Sequence, residues 1–138
     1  MNQNRHEIRL AGPWEYAASG TEDWQRTTLP FQQTEPDSAG ALRRKFHRPG
    51  GLVETSKVQL AVSASRVPAT LLINDTSVPP VMVEHPEPSL TTTLFDVTQV
   101  LGDFNTLHIS LLPEAGASPV TIIDVRLRIL EQTTSHKP

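Results

Sequence analysis

Two pairs of carboxylates are the residues best suited by type and spacing to do chemistry: Glu35 with Asp37, and Glu84 with Glu87, the second pair enclosing His85. Two carboxyl groups held at a fixed separation can act as acid and base in a hydrolysis. Both pairs are interleaved with proline, at Pro36, Pro86 and Pro88, and acidic side chains in such turns are ordinarily just solvated. The five histidines, His6, His47, His85, His108 and His136, lack the paired spacing of zinc ligands. Without cysteine there is no thiolate nucleophile, disulfide or thiolate-bound metal. Arg43, Arg44 and Lys45, with Arg48 nearby, form a short basic run, which on a strand is more often a solvated face or edge protection than a binding patch.

These residues must be positioned by short strands. Ile123, Val125, Leu127 and Ile129 share one parity against Asp124, Arg126 and Arg128, the pattern of a strand with one wet face. The same period of two recurs at Leu107, Ile109 and Leu111, with His108 on the wet side, and at Val58, Leu60 and Val62. In Leu42-Arg43-Arg44-Lys45-Phe46, one cation must share the apolar face, and the parity assigns Arg44. Weaker strands are expected at 7–10, 14–16, 27–29, 69–73, 77–83 and 91–95, separated by Gly12-Pro13, Pro49-Gly50-Gly51, Asn74-Asp75, Pro79-Pro80 and Pro86-Glu87-Pro88. Only residues 96–102 read as a helical turn, capped by Asp96 with Gln99 at the capping-box position, docked through Val97, Val100 and Leu101, and stopped by a left-handed Gly102. About eight to ten strands with almost no helix predict an all-β, antiparallel two-sheet sandwich.

The bulk numbers fit one such domain over 1–138, with an ordered core at about 6–131 and a frayed tail at 132–138. The net charge of -3 gives no electrostatic reason to expect a nucleic-acid or membrane partner. The first seven residues have no apolar run of the kind a signal peptide needs, and no later stretch is long enough to span a bilayer, so a cytoplasmic location is expected.

One series of short motifs then becomes informative by its order. Gly12-Pro13-Trp14 is followed by Trp24, Thr28-Leu29-Pro30, Leu42-Arg43-Arg44-Lys45-Phe46, Leu71-Leu72-Ile73-Asn74-Asp75, Phe95-Asp96-Val97-Thr98 and Asn105-Thr106-Leu107. From about Gly12 to Leu112 this resembles the N-terminal sugar-binding domain of family 2 glycoside hydrolases, the β-galactosidase and β-glucuronidase family. Two positions depart from that pattern: Leu42 stands where an aromatic is usual, and Asn74 is followed by Asp75 rather than glycine, a pair that can still form a type I′ turn.

The resemblance implies a galactose-binding-like jelly roll without catalysis, because in that family the acid and nucleophile are glutamates on a separate barrel domain. It also implies that two loops, 33–39 and 83–89, lean toward a sugar. Their polar residues, Glu35, Asp37, Glu84, His85 and Glu87, are therefore the candidate carbohydrate contacts. Trp14 and Trp24 fall at positions that look structural in the family, which leaves few aromatics for a sugar platform. Calcium, which such folds often carry, would need an Asp-rich loop that is not visible, so no metal or cofactor is expected. The reading that follows is a non-catalytic carbohydrate-binding module or accessory domain, with a carbohydrate or a partner protein as its ligand. The alternative is a protein-interaction or structural sandwich that has lost the sugar. An independent enzyme ranks last, for want of a nucleophile, base and orienting group.

Overall fold

The computed structural model describes residues 3–18, 22–32, 40–68, 70–111 and 120–132. Its strands stack as two antiparallel sheets, not closed into a barrel. The first runs β1 (Gln3–Arg9), β12 (Thr121–Gln132), β6 (Lys57–Ala64), β10 (Leu90–Asp96), β9 (Pro80–Glu87), with β4 (Phe31–Gln32) also paired to β12. The second runs β3 (Gln25–Thr27), β2 (Trp14–Ala18), β5 (Gly40–His47), β11 (Phe104–Leu111), β7 (Thr70–Ile73), β8 (Thr76–Ser77). One parity of each long strand turns inward: Leu60, Val62, Val125 and Leu127 from the first sheet meet Leu42, Leu71, Leu107 and Ile109 from the second in one apolar cluster. Trp14 is fully buried there and satisfies its indole by donating Nε1–H to the Leu10 carbonyl at 2.9 Å.

The motif residues tie turns to strands. Asn74 and Asp75 have φ of 52° and 68°, so they form the expected two-residue hairpin with both residues left-handed, and Ile73 pairs with Thr76 across it. The Asn74 side chain then extends the ladder: Oδ1 accepts the Thr106 N–H at 2.9 Å, and Nδ2 donates to Asn105 Oδ1 at 2.9 Å. Asn105, itself buried, accepts the Gly102 N–H at 2.8 Å and donates to the Gly102 carbonyl at 3.0 Å. Thr98 plays the same part for the other sheet. Its hydroxyl accepts the Val58 N–H at 2.9 Å and donates to Asp96 Oδ1 at 2.7 Å. Buried polar groups must find partners, and here they find them in each other's turns.

Several expectations are corrected. The strands number twelve among the described residues, because β4 and β8 are two-residue pairings too short to leave an alternation in the sequence. Residues 97–100 make a single turn, closed by Val100 N–H to Val97 C=O at 3.1 Å, and no helix. Asp96 does cap it, through the Thr98 N–H, and Val97 is buried, but Gly102 is not left-handed; Asn105 makes the stop instead. On β12 a register shift between Ile122 and Asp124 adds one residue, so Ile122 enters the core and Ile123 faces out, reversing the parity read for Ile123. Arg44 does share the inward parity of Leu42 and Phe46, and it resolves the conflict by donating Nε–H to the Ala11 carbonyl at 2.6 Å. The ordered ladder begins at Gln3 rather than residue 6, pairing with Gln132; residues 133–138 of the expected tail lie outside the described residues.

The segment 83–89, expected as a loop, is mostly strand: β9 runs to Glu87 and only Pro88-Ser89 turn before β10. Proline is tolerated there because β9 is an edge strand, where a missing N–H need not break a ladder. Among the described residues no strand pairs with its outer edge, and Val81, Met82 and Val83 are all exposed.

Candidate functional site

The register of the second sheet decides which side chains meet on its solvent face. Leu42, Phe46, Leu107 and Ile109 turn into the core, so Arg43, Lys45, His47, Phe104, Thr106 and His108 turn out. Across β5 and β11, Phe104 lies opposite His47, Thr106 opposite Lys45, and His108 opposite Arg43. β2 places Glu15 opposite Arg43, and β3 places Arg26 opposite Glu15. One surface therefore runs from Arg26 at the sheet edge to Phe104.

Two adjoining hollows lie on this surface and share Lys45. The larger, of about 350 Å³, is lined by Lys45, Phe46, His47, Phe104, Asn105 and Thr106. Phe104 is 75% exposed, and its ring meets the His47 imidazole edge-on, with centroids 5.0 Å apart and planes at 64°. A large aromatic left in water and braced by a second ring offers an apolar face beside hydrogen-bonding groups, the composition of sites that hold amphipathic ligands.

The smaller hollow, of about 210 Å³, is lined by Pro13, Glu15, Arg26, Arg43, Arg44 and Lys45. Arg43 donates Nε–H to Glu15 Oε1 at 2.7 Å while its guanidinium lies 4.0 Å from the Trp24 ring centroid. Trp24, half-buried, also meets the His108 ring edge-on at 5.9 Å. The wet parity of His108 is thus partly roofed: burial pushes its pKa down, Arg43 adds to that, and Asp75 opposes it. Its Nδ1 is buried without a hydrogen-bond partner. Burial also lowers the Arg44 pKa, while Nη1 donates to the Lys45 carbonyl at 2.8 Å. Arg26 and Lys45 are exposed, and among the described residues neither side chain has an ion pair or hydrogen bond.

The outer face of the first sheet differs. There Arg9 and Arg126 reach Asp124 at 3.1 and 2.6 Å, and Arg126 and Arg128 reach Glu7 at 3.3 and 3.1 Å. The hydrogen bond from Arg5 is the largest cause holding the Glu7 carboxyl below its usual range; partial burial opposes it, and Arg128 adds to it. Each of those four arginines has a carboxylate.

Of the candidates named from sequence, Glu35 and Asp37 lie outside the described residues. Glu84, His85 and Glu87 lie together on β9, and a register shift there sets Glu84 opposite Thr92 and Glu87 opposite Leu90, bringing both carboxylates to one side of the sheet. That side belongs to the first sheet, and these residues line neither hollow. Phe104, His47 and Arg26 had not been singled out. The available signal was parity: Phe104 continues the wet series Thr106, His108, Ser110, where an aromatic is out of place. Among the described residues no three of His, Asp and Glu gather as a metal centre requires, and no helix is long and apolar enough to cross a membrane.

Comparison with known proteins bears on the fold. No protein-family model and no curated protein sequence matches the chain. Among solved structures, it is similar to an FMN-binding β-glucuronidase from Faecalibacterium prausnitzii L2-6, with a TM-score of 0.72 and 21% identity over 93% of this chain. It is also similar to β-glucuronidase 2 of Bacteroides uniformis, with a TM-score of 0.64, 21% identity and 93% coverage. A β-D-mannosidase from Dictyoglomus thermophilum gives a TM-score of 0.63, 14% identity and 88% coverage. The match takes in only 23%, 18% and 22% of those three chains. The chain therefore has the fold of a β-sandwich domain that forms about a fifth of these glycoside hydrolases.

Proposed function

We propose that this chain is a non-catalytic carbohydrate-binding accessory domain, and that it binds through the outer face of the second sheet. The observation that carries this reading is Phe104, held exposed against His47 at the rim of a hollow with Lys45 and Thr106. An aromatic face with polar groups around it suits a pyranose, whose C–H face is apolar and whose rim is hydroxylated. The β-glucuronidase and β-mannosidase folds supply the chemical context, and a match to about a fifth of those chains is what an accessory unit gives. Glu35, Asp37, Glu84, His85 and Glu87 stay as secondary candidates, to be tested beside Phe104.

The test is a thermal-shift screen against mono- and oligosaccharides. A ligand that binds only the folded chain at about 100 times its Kd adds about 2.7 kcal/mol and raises the midpoint by several degrees. Phe104→Ala is expected to abolish that rise while leaving the unliganded midpoint in place. A panel in which no saccharide moves the wild-type midpoint removes the reading.

One observation favours the second reading, an interaction sandwich without sugar: the open edge of β9 with Val81, Met82 and Val83 exposed. Its occupant would be another domain of a longer enzyme, since chains of like fold are about four to five times as long. In that case Val81→Lys weakens assembly with the enzyme partner, and saccharides leave the isolated chain unmoved.

A further inference from the structure

We infer that the two hollows together bind an anionic saccharide, with Phe104 and His47 against a sugar ring and Lys45 and Arg26 on a carboxylate or sulfate carried by it or by its neighbour. The inference rests on the carbohydrate reading of this face and adds the charge class of the ligand. The smaller hollow gathers four cations, Arg26, Arg43, Arg44 and Lys45, around a single carboxylate, Glu15, in a chain whose overall charge is -3. Glu15 is engaged by Arg43. Arg44 is held by the carbonyls of Ala11 and Lys45, which position its charge without cancelling it. Arg26 and Lys45 have no counter-charge among the described residues, whereas the arginines of the opposite face are each matched by Glu7 or Asp124. Two cations without an ion pair among the described residues thus lie on the same face as Phe104, the most exposed aromatic ring.

The spacing supports a shared ligand. Lys45 lines both hollows, and it sits two residues from His47 on the same face of β5, a rise of about 7 Å. A ring resting on Phe104 therefore presents its substituents toward Lys45, and the next unit of the chain lies over the Arg26–Glu15–Arg43 row. Arg43 cannot swing away to neutralise itself elsewhere, being clamped between Glu15 and the Trp24 ring. Guanidinium and ammonium groups make the stronger, charge-assisted hydrogen bonds to carboxylate or sulfate oxygens.

The experiment is isothermal titration calorimetry of the full chain with tetragalacturonate, galactotetraose and a chondroitin 4-sulfate tetrasaccharide, at about 150 mM salt so that exposed long-range attraction is screened. An acidic oligosaccharide is expected to bind about tenfold or more tightly than the neutral one, a difference of about 1.4 kcal/mol. The double variant Arg26→Ala, Lys45→Ala should bring the two affinities together by weakening the acidic ligand far more than the neutral one, while Phe104→Ala weakens both. Preference for tetragalacturonate assigns the carboxylate, and preference for the chondroitin tetrasaccharide assigns the sulfate. Equal binding of neutral and acidic sugars, a preference that survives the double variant, or equal competition by poly-glutamate overturns the charge assignment and leaves the carbohydrate reading standing. No saturable binding of any of the three overturns both.

Discussion

Asn105 is 2% exposed and hydrogen-bonds to Asn74, Gly102 and, at 3.5 Å, to the Phe46 carbonyl, whereas Phe104, the preceding residue on β11, is 75% exposed with its ring set only against His47. The first belongs to a corner where every polar group is used within the fold. The second belongs to a face where an aromatic ring stands largely in water and two cations have no ion pair or hydrogen bond among the described residues. Adjacent residues of one strand point to opposite sides, so the alternation that builds the corner also creates the face. Residues that satisfy one another stabilise the fold and have nothing left for a ligand; those kept unsatisfied contribute little stability and are available for recognition.

The comparison can be broken most sharply at the corner. Asn105→Ala leaves the Gly102 groups and the Asn74 amide without their buried partner, and should cost on the order of 3 kcal/mol. Urea unfolding is expected to show a lower midpoint with an unchanged slope. A loss under about 1 kcal/mol would mean the corner is not what secures β7 and β11 to the turn before them.

The corner, and with it the fold, was legible because its residues are polar types at fixed turn offsets: Asn74-Asp75, Phe95-Asp96-Val97-Thr98 and Asn105 each carry a local conformational requirement that survives in sequence. The face was not legible in that way. Lys45 and His47 look like ordinary members of a wet strand, Phe104 stands out only as an aromatic at wet parity, and only the β5–β11 register, joining residues more than fifty positions apart, makes them one hollow. The acidic residues chosen instead were read from proline-rich segments as loops. The stretch around Glu84 is an edge strand, because an edge tolerates proline that a central strand would reject. Ile123 shows a similar limit, since one inserted residue at the β12 bulge reverses a face without altering the apparent alternation.

A smaller effect is expected between the two regions, at His108 under Trp24. Its pKa is lowered in the folded chain, so the unfolded chain binds the proton more readily below about pH 6.5. The stability contribution of the neutral ring is complete above that value and declines as the pH falls through it toward the folded pKa. His108→Leu should flatten the fall in midpoint between about pH 7 and 5. A profile identical to the wild type would show that the ring titrates alike in both states.

The smallest expected stability change is at Phe104 itself. Because the ring is in water, Phe104→Ala should shift the unfolding free energy by no more than about 0.5 kcal/mol. A large loss there would make Phe104 part of the fold and dissolve its contrast with Asn105, while an unchanged stability with lost saccharide binding would sharpen it.

The open edge of β9 also limits how the chain can be handled. A strand whose outer edge has no partner among the described residues, with three consecutive exposed apolar residues, is a template on which another copy can add, and successive additions would grow a fibre. Pro80 and Pro86 have no N–H to give, so a docking strand finds the outward-facing backbone groups uninterrupted by proline only between Val81 and His85, and Glu84 sets a negative charge inside that window. These residues act as gatekeepers that shorten the template without removing it. In concentrated preparations, β9 is the segment from which self-association would start, and a single additional charge at Val83 is the change that would slow it.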